Sequence, residues 1–401
     1  MLVQLEVDTL RRKDGQPKRQ ARRTMPSFEH GFKDNPNVAP ILHNSLKGAP
    51  EASQYRVVSF FSGCGGLDLG LLGGFEFLGR RYPQLPFRIE YAADNSEDAA
   101  ASYALNIGEH IHCADLTKVP PESLPAADVL IGGFPCQDFS SSGPKTGING
   151  KRGELYKVML HYMNVHKPAI VIGENVPHLA RLNGGVYLET ILKDFESAGY
   201  HFDVWSLYAP DFGLPQSRTR LFLIGVRNDI PGYPVVPERR FRTSPVTIDT
   251  ALRDLEPVTD ETVPNQSQYF VATKATSGGG QGDHHNEVGK VGYCIRANSR
   301  GRIQFHYNLP RRLTVRECAR LQSFPDEFVF PFSTQRNLML IGNAVPPLLA
   351  NCVGESVARF LNCTIGAGVV DKQAEAATAG VTLIPQRKRV AAPELFLENE
   401  G

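Results

Sequence analysis

A cysteine between a proline and a glutamine, Pro135-Cys136-Gln137, follows directly on the apolar run DVLIGGF. Such a run reads as a buried strand, so Cys136 is expected at its C-terminal end, on a proline-restricted backbone, facing the crevice where substrates bind open α/β sheets. A thiolate there can serve as a nucleophile, although a lone cysteine is more often an inert buried thiol. A second run, AIVIGEN, ends in Glu174 and Asn175. A carboxylate behind four apolar residues is costly to bury alone and should line a pocket. Further on, Gln216-Ser-Arg218-Thr-Arg220 leads into LFLIGV. Alternation puts Gln216, Arg218 and Arg220 on one face of an extended segment, where two guanidiniums suit a phosphate or a carboxylate.

A different chemistry is signalled by FFSGCGGLDLG. Ser62, Gly63, Gly65 and Gly66 allow the backbone to approach a ligand, and the following helix offers free N–H groups. Asp94 closes the strand-like FRIEYAAD, where a carboxylate can accept hydrogen bonds from ribose hydroxyls; Asp115, after HCAD, can meet an adenine amino group. The set suits an adenosine-bearing cofactor without saying which. The glycines lack G-x-G-x-x-G spacing, which argues against a nicotinamide dinucleotide.

These residues need a scaffold that brings several strand ends together. RVVSFF, FRIEYAAD, ADVLIGGF, AIVIGEN and RLFLIGV read as strands, with SEDAAASYALN, LYKVMLHYMNVH and VYLETILKDFESAGY as helices between them. The alternation predicts an α/β domain with a doubly wound, mostly parallel sheet. It occupies residues 55–226, after a basic extension over 1–54. Residues 227–306, rich in Pro, Arg, Thr and Gly, lack a sustained period and are expected to form a small irregular or β-rich second domain. TVRECARLQ and AVPPLLANCVGESVARFLN return to the first domain over 307–365, and 366–401 read as an unstructured tail.

Composition narrows the class. Seven scattered cysteines without a Cys-x-x-Cys pair point away from disulfides and from zinc or iron–sulfur sites. His110, His112 and Cys113, like His284 and His285, read as solvated loops, and no metal is expected. No apolar stretch is long enough to span a bilayer, and the N-terminus lacks signal-peptide order, so a cytoplasmic monomer is expected. A net charge of +1 is uninformative, but residues 11–23 carry seven basic side chains against one aspartate. That run reads as a solvated arm.

Taken in order, FFSGCGGLDLG, GGFPCQDFSSSG, GENVPHL, QSRTRLFLIGV, RRLTVRECARLQSFPDEF and IGNAVPP resemble the signature motifs of the DNA (cytosine-5)-methyltransferases, of the bacterial restriction–modification type. The resemblance covers roughly residues 55–362. It implies a Rossmann-like fold with S-adenosylmethionine as methyl donor, and double-stranded DNA as substrate. It also implies base flipping and attack of Cys136 on C6 of cytosine. Glu174 would stabilise charge on the ring, with Arg220 and Arg218 holding the base and its phosphate. Phe61, Gly63, Cys64 and Gly66 would surround the donor, with Asp94 on its ribose, Asp115 and Leu155 on its adenine, and Asn343 and Val345 closing the site. Asn95 stands where a bulky side chain usually covers adenine, and His161 where an arginine is frequent. In the catalytic loop, roughly 137–153, Gln137 and Ser140 are candidates to touch DNA.

By the same resemblance, residues 227–306 take the place of the target-recognition domain. There Arg296, Asn298, Arg300, Arg302, Gln304 and His306 are suited to reading base edges, and Gln216 is added as a DNA contact. A cognate restriction endonuclease acting on the same site is the implied partner. Two other readings stay open at the level of the sequence: a transfer-RNA cytosine methyltransferase, and a non-catalytic DNA-binding relative.

Overall fold

The computed structural model describes residues 54–135, 155–258, 284–297 and 304–365; Cys136, Gln137, Ser140, Asn298, Arg300 and Arg302 lie outside them. The first strand, β1 (Tyr55–Phe60), leads into α1 (Gly66–Leu72) and a short hairpin of β2 (Glu76–Phe77) and β3 (Arg80–Arg81). Then come β4 (Phe87–Asp94), α2 (Glu97–Asn106), β5 (Ile111–Cys113), β6 (Val129–Gly132), α3 (Tyr156–His166), β7 (Ile170–Asn175), α4 (Val186–Ser197), β8 (Tyr200–Tyr208) and β9 (Thr219–Arg227). After α5 (Ile248–Leu252) and a minimal parallel pair, β10 (His284–His285) with β11 (Gln304–Phe305), the described chain ends in α6 (Val315–Leu321), α7 (Thr334–Asn343) and α8 (Pro347–Thr364).

Seven strands form one sheet in the order β5-β4-β1-β6-β7-β9-β8. Pairing is parallel from β5 through β7, while β9 runs antiparallel to both neighbours. The central strands are apolar on both faces because helices cover both: Val57, Val58, Leu130, Ile131, Val171 and Ile172 are all fully buried. From β1 the chain first builds outwards to β4 and β5, then crosses back to β6, so the order reverses beside β1. A crevice opens at such a reversal, outside the carboxyl ends of the strands.

Local signals explain the helix starts nearest that crevice. Ser96 caps α2 by accepting from Ala99 N, with Glu97 and Asp98 in the first turn, where the helix dipole favours negative charge. Thr314 and Glu317 form a capping box on α6. Between α1 and α8 the approach is close: a Cβ on Gly70 would stand 2.2 Å from Pro347 O. Asn351 Nδ2 donates to Gly70 O at 2.9 Å across the same contact.

The doubly wound sheet and each strand and helix read from the sequence are present, with three differences. The helix expected to run to Tyr200 stops at Ser197, because Gly199 takes a left-handed φ of 93° and the chain then alternates as edge strand β8. Helix α7 was not foreseen. Ile248, Ala251, Leu252 and Ile295 were expected in the second domain, yet their side chains join the main core.

Candidate active site

Because β1, β4, β5, β6 and β7 are parallel, their C-terminal ends share one edge of the sheet; β9, reversed, brings its first residues to that edge. A cavity of about 440 Å³ lies there, lined by Phe61, Gly63, Asp94, Asp115, Phe134, Pro135, Leu155, Glu174, Arg220 and Asn343 among others.

On one side of the cavity stands Glu174. It pairs in register with Phe222, which makes Arg220 its diagonal neighbour on the same face of the sheet. Arg220 Nε binds Glu174 Oε1 at 2.8 Å, and both side chains are almost buried. Burial raises the Glu174 pKa above the ordinary carboxylate range, outweighing the opposing pull of Arg220 and Arg218. The other oxygen, Oε2, faces the backbone that leads to Cys136: a Cβ on Gly133 would stand 3.3 Å from it. Asn175 Nδ2 donates to Phe134 O at 3.0 Å, fixing the chain two residues before the cysteine. A carboxyl that can hold a proton, a fixed cation and an anchored approach to a thiol therefore converge at one place.

The opposite side is shaped by the glycine turn. Phe61 and Gly63 both take left-handed φ, 54° and 58°, and among the described residues nothing lies within 4 Å of where a Gly63 Cβ would be. That leaves room against the backbone. Gly63 N–H donates to Asp94 Oδ2 and Ser96 N–H to Oδ1, both at 2.9 Å, so the Asp94 carboxylate is held at the cavity wall. Burial raises its pKa against those backbone donors. Asp115 is exposed at the mouth; the Thr117 hydroxyl, donating to Oδ1 at 2.7 Å, and Lys118 lower its pKa.

Two kinds of comparison bear on this arrangement. The sequence profile of the C-5 cytosine-specific DNA methylases matches residues 55–359. The chain belongs to that family. It is 33% identical to the Type II methyltransferase M.NgoFVII of Neisseria gonorrhoeae over 325 residues, covering 73% of this chain and 83% of the relative. With M.BspRI of Lysinibacillus sphaericus it shares 30% identity over 77% of this chain and 83% of the relative. The solved Entamoeba histolytica methyltransferase EhMeth superposes with a TM-score of 0.56 at 19% identity, over 77% of this chain and 99% of that one, and shows the same fold. The protein is a DNA (cytosine-5)-methyltransferase.

Several residues read from the sequence take other places in this methyltransferase. Gln216, expected on DNA, is fully buried, with its amide spent on Ile295 N, Leu321 O and Gln322 Oε1. Arg218 shares the face of Arg220 as alternation required, but its guanidinium is buried and donates to Ile295 O, Gly342 O and Ala344 O. Neither is placed to touch a base or a phosphate. His306 is buried too: Nδ1 accepts from Asn308 N and Leu309 N, and Nε2 lies 3.5 Å from Glu317. Gln304 Nε2 is engaged by Cys294 O at 2.9 Å, whereas Arg296 is exposed. His284 and His285 stack on Tyr293 and Phe305.

On the donor side, Cys64 lines the cavity as a buried thiol pushed up to about 12 by desolvation. Gly66 and Val345 stand behind the wall: a Cβ on Gly66 would meet Val345 O at 2.2 Å. Gly66→Ala should cost about 1–3 kcal/mol of overpacking and displace the segment carrying Asn343. A raised KM for the methyl donor with little change in kcat, together with a lowered melting temperature, would register this. Asn95 and Ser96 also line the cavity, and so does Met339, 41% exposed on α7. Met339 carried no motif and was missed; only the unforeseen helix puts it there.

Proposed function

We propose that this enzyme transfers the methyl group of S-adenosylmethionine to C5 of cytosine in a short, specific duplex DNA site, through a covalent bond between Cys136 and C6. The observation that carries the reading is the shared cavity, with a buried Glu174–Arg220 pair on one side and Asp94 braced by Gly63 on the other. The donor fits the residues present: Asp94 can accept from ribose hydroxyls, and the open backbone at Gly63 leaves space for the amino-acid portion. Phe61, Leu155 and Asn343 supply further wall, with Asp115 at the mouth for the adenine. When bound, S-adenosylmethionine supplies an electrophilic methyl group on a sulfonium.

Carbon 5 of cytosine is too electron-poor to accept that methyl unaided. The Cys136 thiolate adds to C6 and makes C5 nucleophilic. Glu174, able to keep a proton because it is buried, hydrogen-bonds the ring and offsets the charge that builds up on it. Arg220 holds the Glu174 carboxyl in orientation and contributes positive charge beside the base. After transfer, the C5 proton leaves to a base and the thiolate is expelled. The target carbon is out of reach within a stacked duplex, so the cytosine is flipped out, at a cost of a few kcal/mol. Residues 227–306 serve as the target reader, with Arg296 exposed for contact. The Type II relatives support a role in protecting host DNA from a cognate endonuclease.

Incubation with methyl-labelled S-adenosylmethionine and unmethylated plasmid DNA, followed by bisulfite sequencing, tests this reading. Label in 5-methylcytosine at one short recurring site is the expected result. Label confined to transfer RNA, or found only as N4-methylcytosine or N6-methyladenine, would overturn it.

A further inference from the structure

Two buried polar side chains between the strands and the last helices are built into neither half of the cavity. Arg218 Nη1 donates to Ile295 O at 2.8 Å, while Nη2 donates to Gly342 O at 3.0 Å and Ala344 O at 3.1 Å. Gln216 Oε1 accepts from Ile295 N at 2.9 Å, and its Nε2 donates to Gln322 Oε1 at 2.6 Å. Gln322 Nε2 completes the circuit on Ala344 O at 2.6 Å. The two segments so tied are in direct contact, because a Cβ on Gly342 would stand 2.3 Å from Ala297 N.

Each segment leads to a different ligand. Residues 342–344 contain Asn343, which lines the donor cavity. The other segment, 292–297, ends in exposed Arg296 and runs on into the stretch assigned to target reading. The guanidinium donates to three carbonyl oxygens and to Cys294 Sγ at 3.6 Å, so its hydrogen bonds among the described residues go to the backbone of two segments and one thiol rather than to a carboxylate. Its rigid planar fork reaches carbonyls of two segments from separate nitrogens, a span that the three donors on a lysine's single nitrogen do not reproduce. Removing it would leave those carbonyls buried and short of a donor.

We infer that Arg218, with Gln216 and Gln322, is a positioning latch that joins the target-reading segment to the donor-closing segment, so that DNA binding and donor binding strengthen one another through it. The inference rests on the proposed reading of the cavity as the donor site. Because coupling between two sites is reciprocal, it can be measured from either one.

The experiment measures the dissociation constant of S-adenosylhomocysteine with and without saturating unmethylated plasmid DNA. In the unsubstituted enzyme the DNA should tighten binding within the roughly 5–150-fold range typical of allosteric coupling. Arg218→Lys keeps the charge but loses the fork, and the ratio should fall towards one. Gln322→Met opens the circuit without touching Arg218 and should lower the ratio as well, which keeps the test available if Arg218→Lys does not fold. A ratio of one in the unsubstituted enzyme, or an unchanged ratio in a folded Arg218→Lys or Gln322→Met protein, would overturn the inference. Failure of the unsubstituted enzyme to bind S-adenosylhomocysteine at all would instead sink the donor-site reading, and the latch with it.

Discussion

Replacing Glu174 with glutamine is expected to slow methyl transfer by on the order of 10²–10⁴-fold, the usual worth of a positioned acid or base, with little loss of DNA affinity. Glutamine has nearly the same shape and can still accept from Arg220 Nε, so the fold is not at issue. What disappears is the proton that burial lets Glu174 keep above the ordinary carboxylate range. The sign follows directly. The protonated form is lost as pH rises through the raised pKa, so the single-turnover rate should fall on that limb in the native enzyme, and the glutamine variant should lack the limb. The covalent step separates from this one. A duplex with fluorine in place of hydrogen at C5 has no C5 proton to release after methyl transfer, so in the presence of S-adenosylmethionine it should remain attached to the Glu174-containing enzyme after denaturation. No attachment should occur with Cys136→Ser, and attachment in that variant would show that Cys136 is not the nucleophile.

The second large effect concerns Asp68, on α1 immediately behind the glycine turn. It is fully buried; Tyr103 donates to Oδ1 at 3.0 Å, and among the described residues Oδ2 finds no hydrogen-bond partner. Burial pushes its carboxyl from 3.8 to about 6, against the nearby hydroxyls of Ser59 and Tyr103. A folded-state pKa above the unfolded one means that the native protein binds the proton more tightly, so stability is lost as pH rises across that window. The full linkage is roughly 3 kcal/mol, about half of it between pH 5 and pH 8. Asp68→Asn cannot ionise and should gain on the native protein by that amount over the same interval. Urea midpoints of both proteins at pH 5 and pH 8 check it; parallel pH dependence in the two would exclude Asp68 as the source.

The parts of the site legible in the sequence were those that follow from strand ends. Asp94, Glu174 and Asn175 each close an apolar run, and a polar group there has no place to go except the edge of the sheet. Alternation likewise put Gln216, Arg218 and Arg220 on one face. It could not say what packs on that face. Only Arg220 reaches the cavity, because 292–297, the α6 end and 342–344 arrive from far along the chain and consume the hydrogen-bonding capacity of the other two. Helix α7 went unread because Gln335, Arg336 and Asn337 open it and Gly342 nearly ends it, so its apolar stripe is a single turn. With it went Met339. The packing of 248–252 was hidden for a related reason: Ile248, Ala251 and Leu252 show a helical period too short to reveal that they pack against the main core.

The reversal of strand order beside β1 has one more consequence, for how substitutions combine. Residues 55–118 supply the cavity wall on the β1, β4 and β5 side, and residues 129–227 supply the wall on the β6, β7 and β9 side. On the proposed reading, the first stretch carries most of the donor wall and the second the Glu174–Arg220 pair, with Leu155 and residues 339–344 as exceptions on the donor side. Changes drawn from opposite stretches should add in free energy, as independent sites do, except at Arg218 and its partners, which tie the second stretch to the segment carrying Asn343. Otherwise, departure from additivity should mark pairs that meet at the seam, where β1 lies against β6.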